Sequence, residues 1–265
     1  MNDITIVTAF FDIGRGDWSP DKGLPHYLQR TTDTYFDRFA NMAKLDNNMI
    51  VYTSEDLVDR VKELRGDKPI QIHSVDFTKS FVEIKKKVAD VQKDPNFLAK
   101  INPTQILNPE YWSPDYVVVN LLKSTFVNQS MKYINTDLTA WVDFGYCRTE
   151  NTLGGHTNWQ YPFDKDKIHF FTIKDWVEGT YIQDVIANND VYVTGPCIVG
   201  GRDAWKKLEI LVQHNTNELL KNNLIDDDQT LLLMSYLSQP DMFELHPVST
   251  DDWFVAFKDY NESVS

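Results

Sequence analysis

Short β-branched, apolar runs alternate along the chain with longer stretches whose apolar residues fall three and four apart. Ile4 to Phe10 (ITIVTAF) is the first short run and predicts a central strand beginning almost at the first residue. A loop rich in Gly, Asp and Pro follows, and then Leu28 to Leu45 sets Tyr35, Phe36, Phe39, Met42 and Ala43 at helical spacing. Asn48 to Thr53 predicts a second strand, the segment from Ser54 or Glu55 to Leu64 a helix, and Pro69 to Val75 a third strand. A β-α-β-α-β order implies a largely parallel sheet with helices on both faces. Phe81 to Gln92 reads as helical, Asn102 to Pro114, with three prolines, as a loop or lid, and Tyr116 to Met131 as one strong helix. Leu138 to Val142 is then a short buried strand that ends at Asp143.

The second half is more irregular. Thr152 to Phe163 shows no periodicity, while Ile168 to Ile173 and Val191 to Thr194 read as strands on either side of a helix or loop from Trp176 to Asn189. Pro196 and the pair Gly200-Gly201 bracket an apolar run ahead of a helix from Asp203 to Asn222. Asp226-Asp227-Asp228 opens another helix reaching Leu237, and Met242 to His246 forms a last short strand. The expected fold class is α/β, a mostly parallel central sheet flanked by helices with a smaller mixed region. Residues 1-150 form a nucleotide-type half and residues 151-265 an acceptor half of one continuous domain.

Composition narrows the partners. The 265 residues are 42% hydrophobic and 25% charged, ordinary for a globular chain. A net charge of −13 argues against nucleic acid, whose phosphates need clustered Lys and Arg, and against an anionic membrane surface as main partner. Cys147 and Cys197 have no metal-binding spacing and read as buried thiols in a reducing compartment. The N-terminus shows no basic segment leading into an apolar stretch, and no run approaches the ~18 apolar residues of a membrane span. A cytoplasmic location is expected, with any membrane contact peripheral.

The candidate chemistry gathers at the ends of the predicted strands. Ligands of open α/β sheets collect at the carboxyl ends of strands, where Asp143 falls. A carboxylate there can hold a divalent cation and through it a diphosphate, or can simply begin a turn. Gly145 would admit a ligand close to the backbone. Arg15, between two glycines, can reach a phosphate or stay an exposed loop residue. Asn120 and Lys123 share a helix face that runs into the Asp143 strand, and Lys123 is either an anion contact or a surface lysine. Lys85, Lys86 and Lys87 read as a solvated face. The Gly200-Gly201 pair suits either closure over a ligand or a tight turn, and the three aspartates suit either a helix cap or a general base.

Taken in order, these features resemble glycosyltransferases of the GT-A fold. TIVTAFFDIGRGDW, the Tyr35-Phe36 helix, WVDFGYCR and the DDDQ helix start narrow the resemblance to the HtrL/YibB family of bacterial polysaccharide and lipopolysaccharide gene clusters. The resemblance covers nearly the whole chain. It implies transfer from a UDP-sugar, UDP-galactofuranose among the candidates, to a growing surface glycan or lipid-linked glycan such as O-antigen or capsule. Its implied donor site comprises Thr8, Ala9, Phe10, Arg15, Tyr52, Asn120, Lys123, Asp143, Phe144 and Gly145. Gly200, Gly201 and Trp176 would meet the acceptor, and Asp227 or Asp228 would be the base of an inverting displacement. Mn²⁺ or Mg²⁺ would sit between Asp143 and His246. The usual Asp-x-Asp of the GT-A fold is Asp143-Phe144-Gly145 here, so one carboxylate is missing, and Lys123 and Arg15 are the alternative partners for the diphosphate. A nucleotidyltransferase, which would need a phosphate loop after the first strand, and a non-catalytic glycan-binding or assembly protein are the rival readings.

Overall fold

The structure, a computed structural model, describes residues 3–262. Seven strands, β1 Ile4–Phe10, β2 Met49–Thr53, β3 Ile70–Ser74, β4 Leu138–Val142, β5 Ile168–Thr172, β6 Val193–Gly201 and β7 Phe243–Pro247, form one sheet in the order β3-β2-β1-β4-β6-β5-β7. All neighbours pair in parallel except at β6, which runs antiparallel to both β4 and β5. The α/β architecture matches the expected class, and the sheet joins strands from both halves of the chain.

Alternation along the strands gives the sheet two apolar faces. One face carries Val7, Ile50, Trp141, Phe170 and Ile198 against helices α3 Val82–Gln92, α5 Pro114–Leu121, α6 Lys123–Ser130, α7 Ile182–Asn188, α8 Arg202–Lys221 and α9 Asp228–Ser238. The short α4, Pro95–Leu98, adds Phe97 to that layer. The other carries Ile4, Ile6, Val51, Ala140, Val142 and Val199 against α1 Thr32–Met42, α2 Val58–Arg65 and α10 Ala256–Asp259.

Three elements depart from the expected pattern, each for a local reason. The predicted helix from Leu28 is shorter, because His26–Leu28 makes a separate 3-10 turn and the side chain of Thr31 caps α1 through the Thr34 N–H. The helix predicted from Tyr116 to Met131 is two helices that meet at Leu122. The stretch read as a strand ending at Thr194 followed by a glycine loop is the single nine-residue strand β6. Pro196 sits within it, tolerated where the β5–β6 register shifts between Phe170 and Thr172.

Candidate active site

Strands β1 and β4 lie side by side in parallel, so the loops leaving their carboxyl ends face one another. They enclose a cleft walled by Ala9, Phe10, Asp143, Phe144 and Gly145 from the sheet, Asn120 and Lys123 from the α5–α6 layer, and Pro196 from β6. Asp143 stands at the floor. Its Oδ1 accepts the Trp141 indole N–H at 2.7 Å and faces the Lys123 ammonium at 3.1 Å. The same ammonium donates to Asp228 Oδ2 at 2.8 Å and to the Gly195 carbonyl at 3.0 Å. Lys123 and Asp228 are buried, whereas the Asp143 side chain keeps 38% of its exposure. Burial opposes charge on Lys123, but the two carboxylates and their hydrogen bonds outweigh it and hold the ammonium well above its ordinary pKa. Gly195 is needed here, because a Cβ at that position would occupy the space of the Asp228 carboxyl.

The opposite wall is basic. The chain has seven arginines, and four of them, Arg15, Arg30, Arg38 and Arg148, line this cleft. Among the described residues none of the four makes an ion pair. Arg15 is buried: its Nη1 donates to the Tyr35 hydroxyl at 2.8 Å, and its guanidinium lies 5.0 Å from the Trp18 ring and 5.5 Å from Tyr116. Arg148 lies 4.2 Å over Phe254. Burial, with the neighbouring Arg30 and Arg38, lowers the Arg148 pKa to about 10. Burial likewise lowers Arg38, helped by Arg30 and Arg15. Like charges held this close, with no acid in ion-pair contact among the described residues, raise the local potential and favour an anion between them. Gly145 shapes this wall, since a Cβ there would meet the Tyr35 ring at 3.0 Å.

Behind the floor lies a buried acidic group. Asp227 caps α9 through the Gln229 N–H at 2.9 Å, and Asp226 accepts the Thr230 hydroxyl at 2.7 Å. Glu110, from the 3-10 turn Pro109–Tyr111, is buried beside them with Oε2 unpartnered among the described residues. Burial pushes Glu110 and Asp226 up to about 7 and Asp227 well above the ordinary carboxylate range, and the acids raise one another. Gln229, not an aspartate, is what this helix start presents to the cleft.

The sequence-derived site is therefore partly assembled. Ala9, Phe10, Arg15, Asn120, Lys123, Asp143, Phe144 and Gly145 share the cleft, and Asp228 reaches it through Lys123. Thr8 is fully buried within β1, and Tyr52 turns into the core to meet Ser130 at 3.0 Å. Gly200 and Gly201 pair with Thr139 and Leu138, at the opposite end of β4 from Asp143. They let Ile168 and Lys165 pack closely instead of shaping a ligand loop. Trp176 lies in another cavity with Tyr192 and Tyr236. His246 is on β7, separated from β4 by β6 and β5, so it does not meet Asp143.

That separation bears on the expected divalent ion. Asp143 brings one carboxylate to the cleft floor, and one of its oxygens already faces an ammonium. The group of three metal-ligating side chains that converges among the described residues, His169, Glu244 and His246, lies elsewhere. The donors at Asp143 alone do not fit a resident Mn²⁺ or Mg²⁺: the protein's share is one carboxylate already paired with Lys123, and an ion there would take its remaining oxygens from donor phosphates and water. Arg30 and Arg38 had no sequence signal: they lie more than a hundred residues from Asp143, and no motif spacing links them, while Tyr35 stood in view only as part of an apolar helix face. Arg148 did stand in view within WVDFGYCR.

The fold and the site define an α/β protein with a carboxylate-floored, arginine-walled cleft at the carboxyl edge of its sheet. The chain belongs to the HtrL_YibB family, described as bacterial proteins of unknown function, matched over residues 2–262. It is 43% identical over 259 residues to Protein HtrL of Escherichia coli (strain K12), covering 96% of this chain and 91% of that one. Among solved structures it is similar to a glycosyltransferase involved in the glycosylation of the major capsid of PBCV-1, with 11% identity, TM-score 0.41 and coverage of 92% and 82% of the two chains. It is also similar to core-mannan synthase A from Aspergillus fumigatus in its Mn/GDP form, with 7% identity, TM-score 0.46 and coverage of 92% and 73%.

Proposed function

We propose that the chain is a nucleotide-sugar-dependent glycosyltransferase that moves a sugar from a UDP-sugar to a bacterial surface glycan. The observation that carries this reading is the arginine wall: an acidic protein directs four unpaired arginines into one cleft at the carboxyl edge of its sheet. A diphosphate supplies the missing counter-charge, and guanidinium groups match phosphate oxygens in pairs. UDP-galactofuranose is the donor favoured by the family resemblance, and the acceptor is a growing polysaccharide or lipopolysaccharide chain.

In this reading Arg30, Arg38 and Arg148 hold the diphosphate, with Arg15 fixed behind them by Tyr35, Trp18 and Tyr116. As the bond from the anomeric carbon to the phosphate oxygen breaks, charge grows on the departing UDP, and the guanidinium groups stabilise it. The acceptor hydroxyl forms the new bond to that carbon, and its proton passes to the Asp143–Lys123–Asp228 triad, of which Asp143 is the cleft-facing carboxylate. Asp227, engaged in capping α9, takes no part. A single displacement of this kind inverts the anomeric centre.

Incubation with a panel of UDP-sugars and release of UDP tests the proposal. Asp143→Asn lowers turnover about 10²–10⁴-fold if its carboxylate takes the proton. Release of pyrophosphate from a nucleoside triphosphate and a sugar phosphate would instead assign a nucleotidyltransferase. UDP binding without turnover on any donor and glycan acceptor would assign a binding protein.

A further inference from the structure

The outer edge of the sheet carries a second constellation that the cleft does not use. Strand β7 is the last strand and pairs in parallel with β5, His169 opposite Glu244 and Phe171 opposite His246. Partners in register, and residues two apart, share one face of a sheet. His169, Glu244 and His246 therefore point the same way, and one ligand atom from each lies within 4.8 Å of the others. His169 Nδ1 is 2.9 Å from His246 Nε2 and 3.8 Å from Glu244 Oε2.

We infer that His169, Glu244 and His246 bind a Zn²⁺-class transition-metal ion that ties the edge strand to the sheet. Two features beyond proximity support this. First, the other nitrogen of His169, Nε2, is 2.8 Å from the Asp164 carbonyl, an acceptor that can only take a proton. That bond fixes the tautomer and leaves the Nδ1 lone pair facing His246 and Glu244, the outer-shell arrangement of metal-bound histidines. Second, the site has a built wall and one open side: His169 is fully buried, its ring 4.7 Å from Phe163, whereas the Glu244 side chain keeps 48% of its exposure.

Two imidazoles and a carboxylate suit Zn²⁺ and its neighbours rather than Mg²⁺ or Ca²⁺. Two nitrogens at ~2.0 Å from a tetrahedral ion stand about 3.3 Å apart, so the rings need to part by only a few tenths of an ångström. A water fills the fourth position. The site is separate from the cleft and independent of the glycosyltransferase reading.

Zn²⁺ titration of the tag-free, EDTA-dialysed full chain, read by calorimetry and by the visible absorption of a Co²⁺ substitute, tests the inference. The expected result is one equivalent bound at micromolar affinity or better, with a Co²⁺ spectrum of tetrahedral type. Glu244→Gln, at a half-exposed position that the fold tolerates, weakens binding about 10- to 100-fold, the usual effect of disturbing such a site. His246→Gln abolishes the Co²⁺ spectrum, while Asp143→Asn leaves stoichiometry and spectrum unchanged. Absence of stoichiometric binding overturns the inference and makes the histidines a plain hydrogen-bonded pair. Binding that survives both Glu244→Gln and His246→Gln, or that is lost in Asp143→Asn, overturns it equally.

Discussion

Two charged regions face each other across the cleft, and they are organised in opposite ways. On the floor every charge is matched: Lys123 sits between Asp143 and Asp228, with a carbonyl and an indole N–H completing the hydrogen bonds. On the wall, Arg15, Arg30, Arg38 and Arg148 make no ion pair among the described residues, and burial together with neighbouring guanidinium groups lowers Arg38 and Arg148. A matched buried set can stand alone, and removing one member leaves the others uncompensated. An unmatched set gains stability when an outside anion arrives. The floor is thus held together within the fold, with Asp143 its one cleft-facing carboxylate, and in the proposed function the wall is what meets the ligand.

The largest effect should come from breaking the floor. Lys123→Met strands Asp228 inside the protein and should cost about 3–5 kcal/mol of stability, read from urea unfolding. A loss below ~1 kcal/mol would mean that the floor is no more structural than the wall. The wall should behave in the reverse manner. Arg38→Ala or Arg148→Ala should weaken UDP about 10- to 100-fold by calorimetry, from the usual worth of a hydrogen bond to a charged group. Unfolding should change little, or move toward greater stability as repulsion is relieved. Equal destabilisation by both sets of substitutions would erase the distinction.

This contrast also marks what could be read from sequence. Strand β1, helix α3, the short β4 and the position of Asp143 at its end follow from apolar periodicity and from where polar residues interrupt it. The partnership of Asp143 with Lys123 was half visible, because α6 precedes β4 directly in the chain. Of the glycines read as ligand contacts, Gly145 lines the cleft and the Gly200-Gly201 pair does not. Gly200 and Gly201 look like a ligand loop, but the antiparallel run of β6 carries them to the far end of β4 and brings Gly195 and Pro196 to the cleft. Strand direction decides which end of a motif faces the ligand, and a pattern of apolar residues does not encode it. His246 shows the same limit: its strand was legible, but the sheet order that separates it from Asp143 was not.

A smaller effect concerns the acids behind the floor. Glu110 has its carboxyl raised to about 7 by burial. A raised folded pKa means that its contribution is fully present below the ordinary range near 4.5 and is lost as pH rises toward 7. His246, lowered to about 4, works the other way: its contribution is present above about 6.5 and is lost as pH falls toward 4. Stability should therefore be shaped by opposing slopes between pH 4 and 7. Glu110→Gln removes its own part of the first slope, leaving that of Asp226 and Asp227, and should raise stability at pH 8 by about 2 kcal/mol, with little change at pH 4. An unchanged pH profile would place the Glu110 carboxyl in the matched set with Lys123.

The smallest expected effect tests the comparison most directly. If the wall supplies the counter-charge, UDP affinity should change less than about twofold between excess EDTA and millimolar Mn²⁺, an energy difference below ~0.5 kcal/mol. The reason lies in the floor: a divalent ion at Asp143 would stand next to an ammonium 3.1 Å from the same oxygen, and the two would repel. For an ion to bind there, Lys123 would have to withdraw and leave Asp228 buried without its partner. A tenfold tightening of UDP by Mn²⁺ would show that the floor opens in this way. That gain should then disappear in Asp143→Asn and persist in His246→Gln, because His246 lies three strands away at the sheet edge.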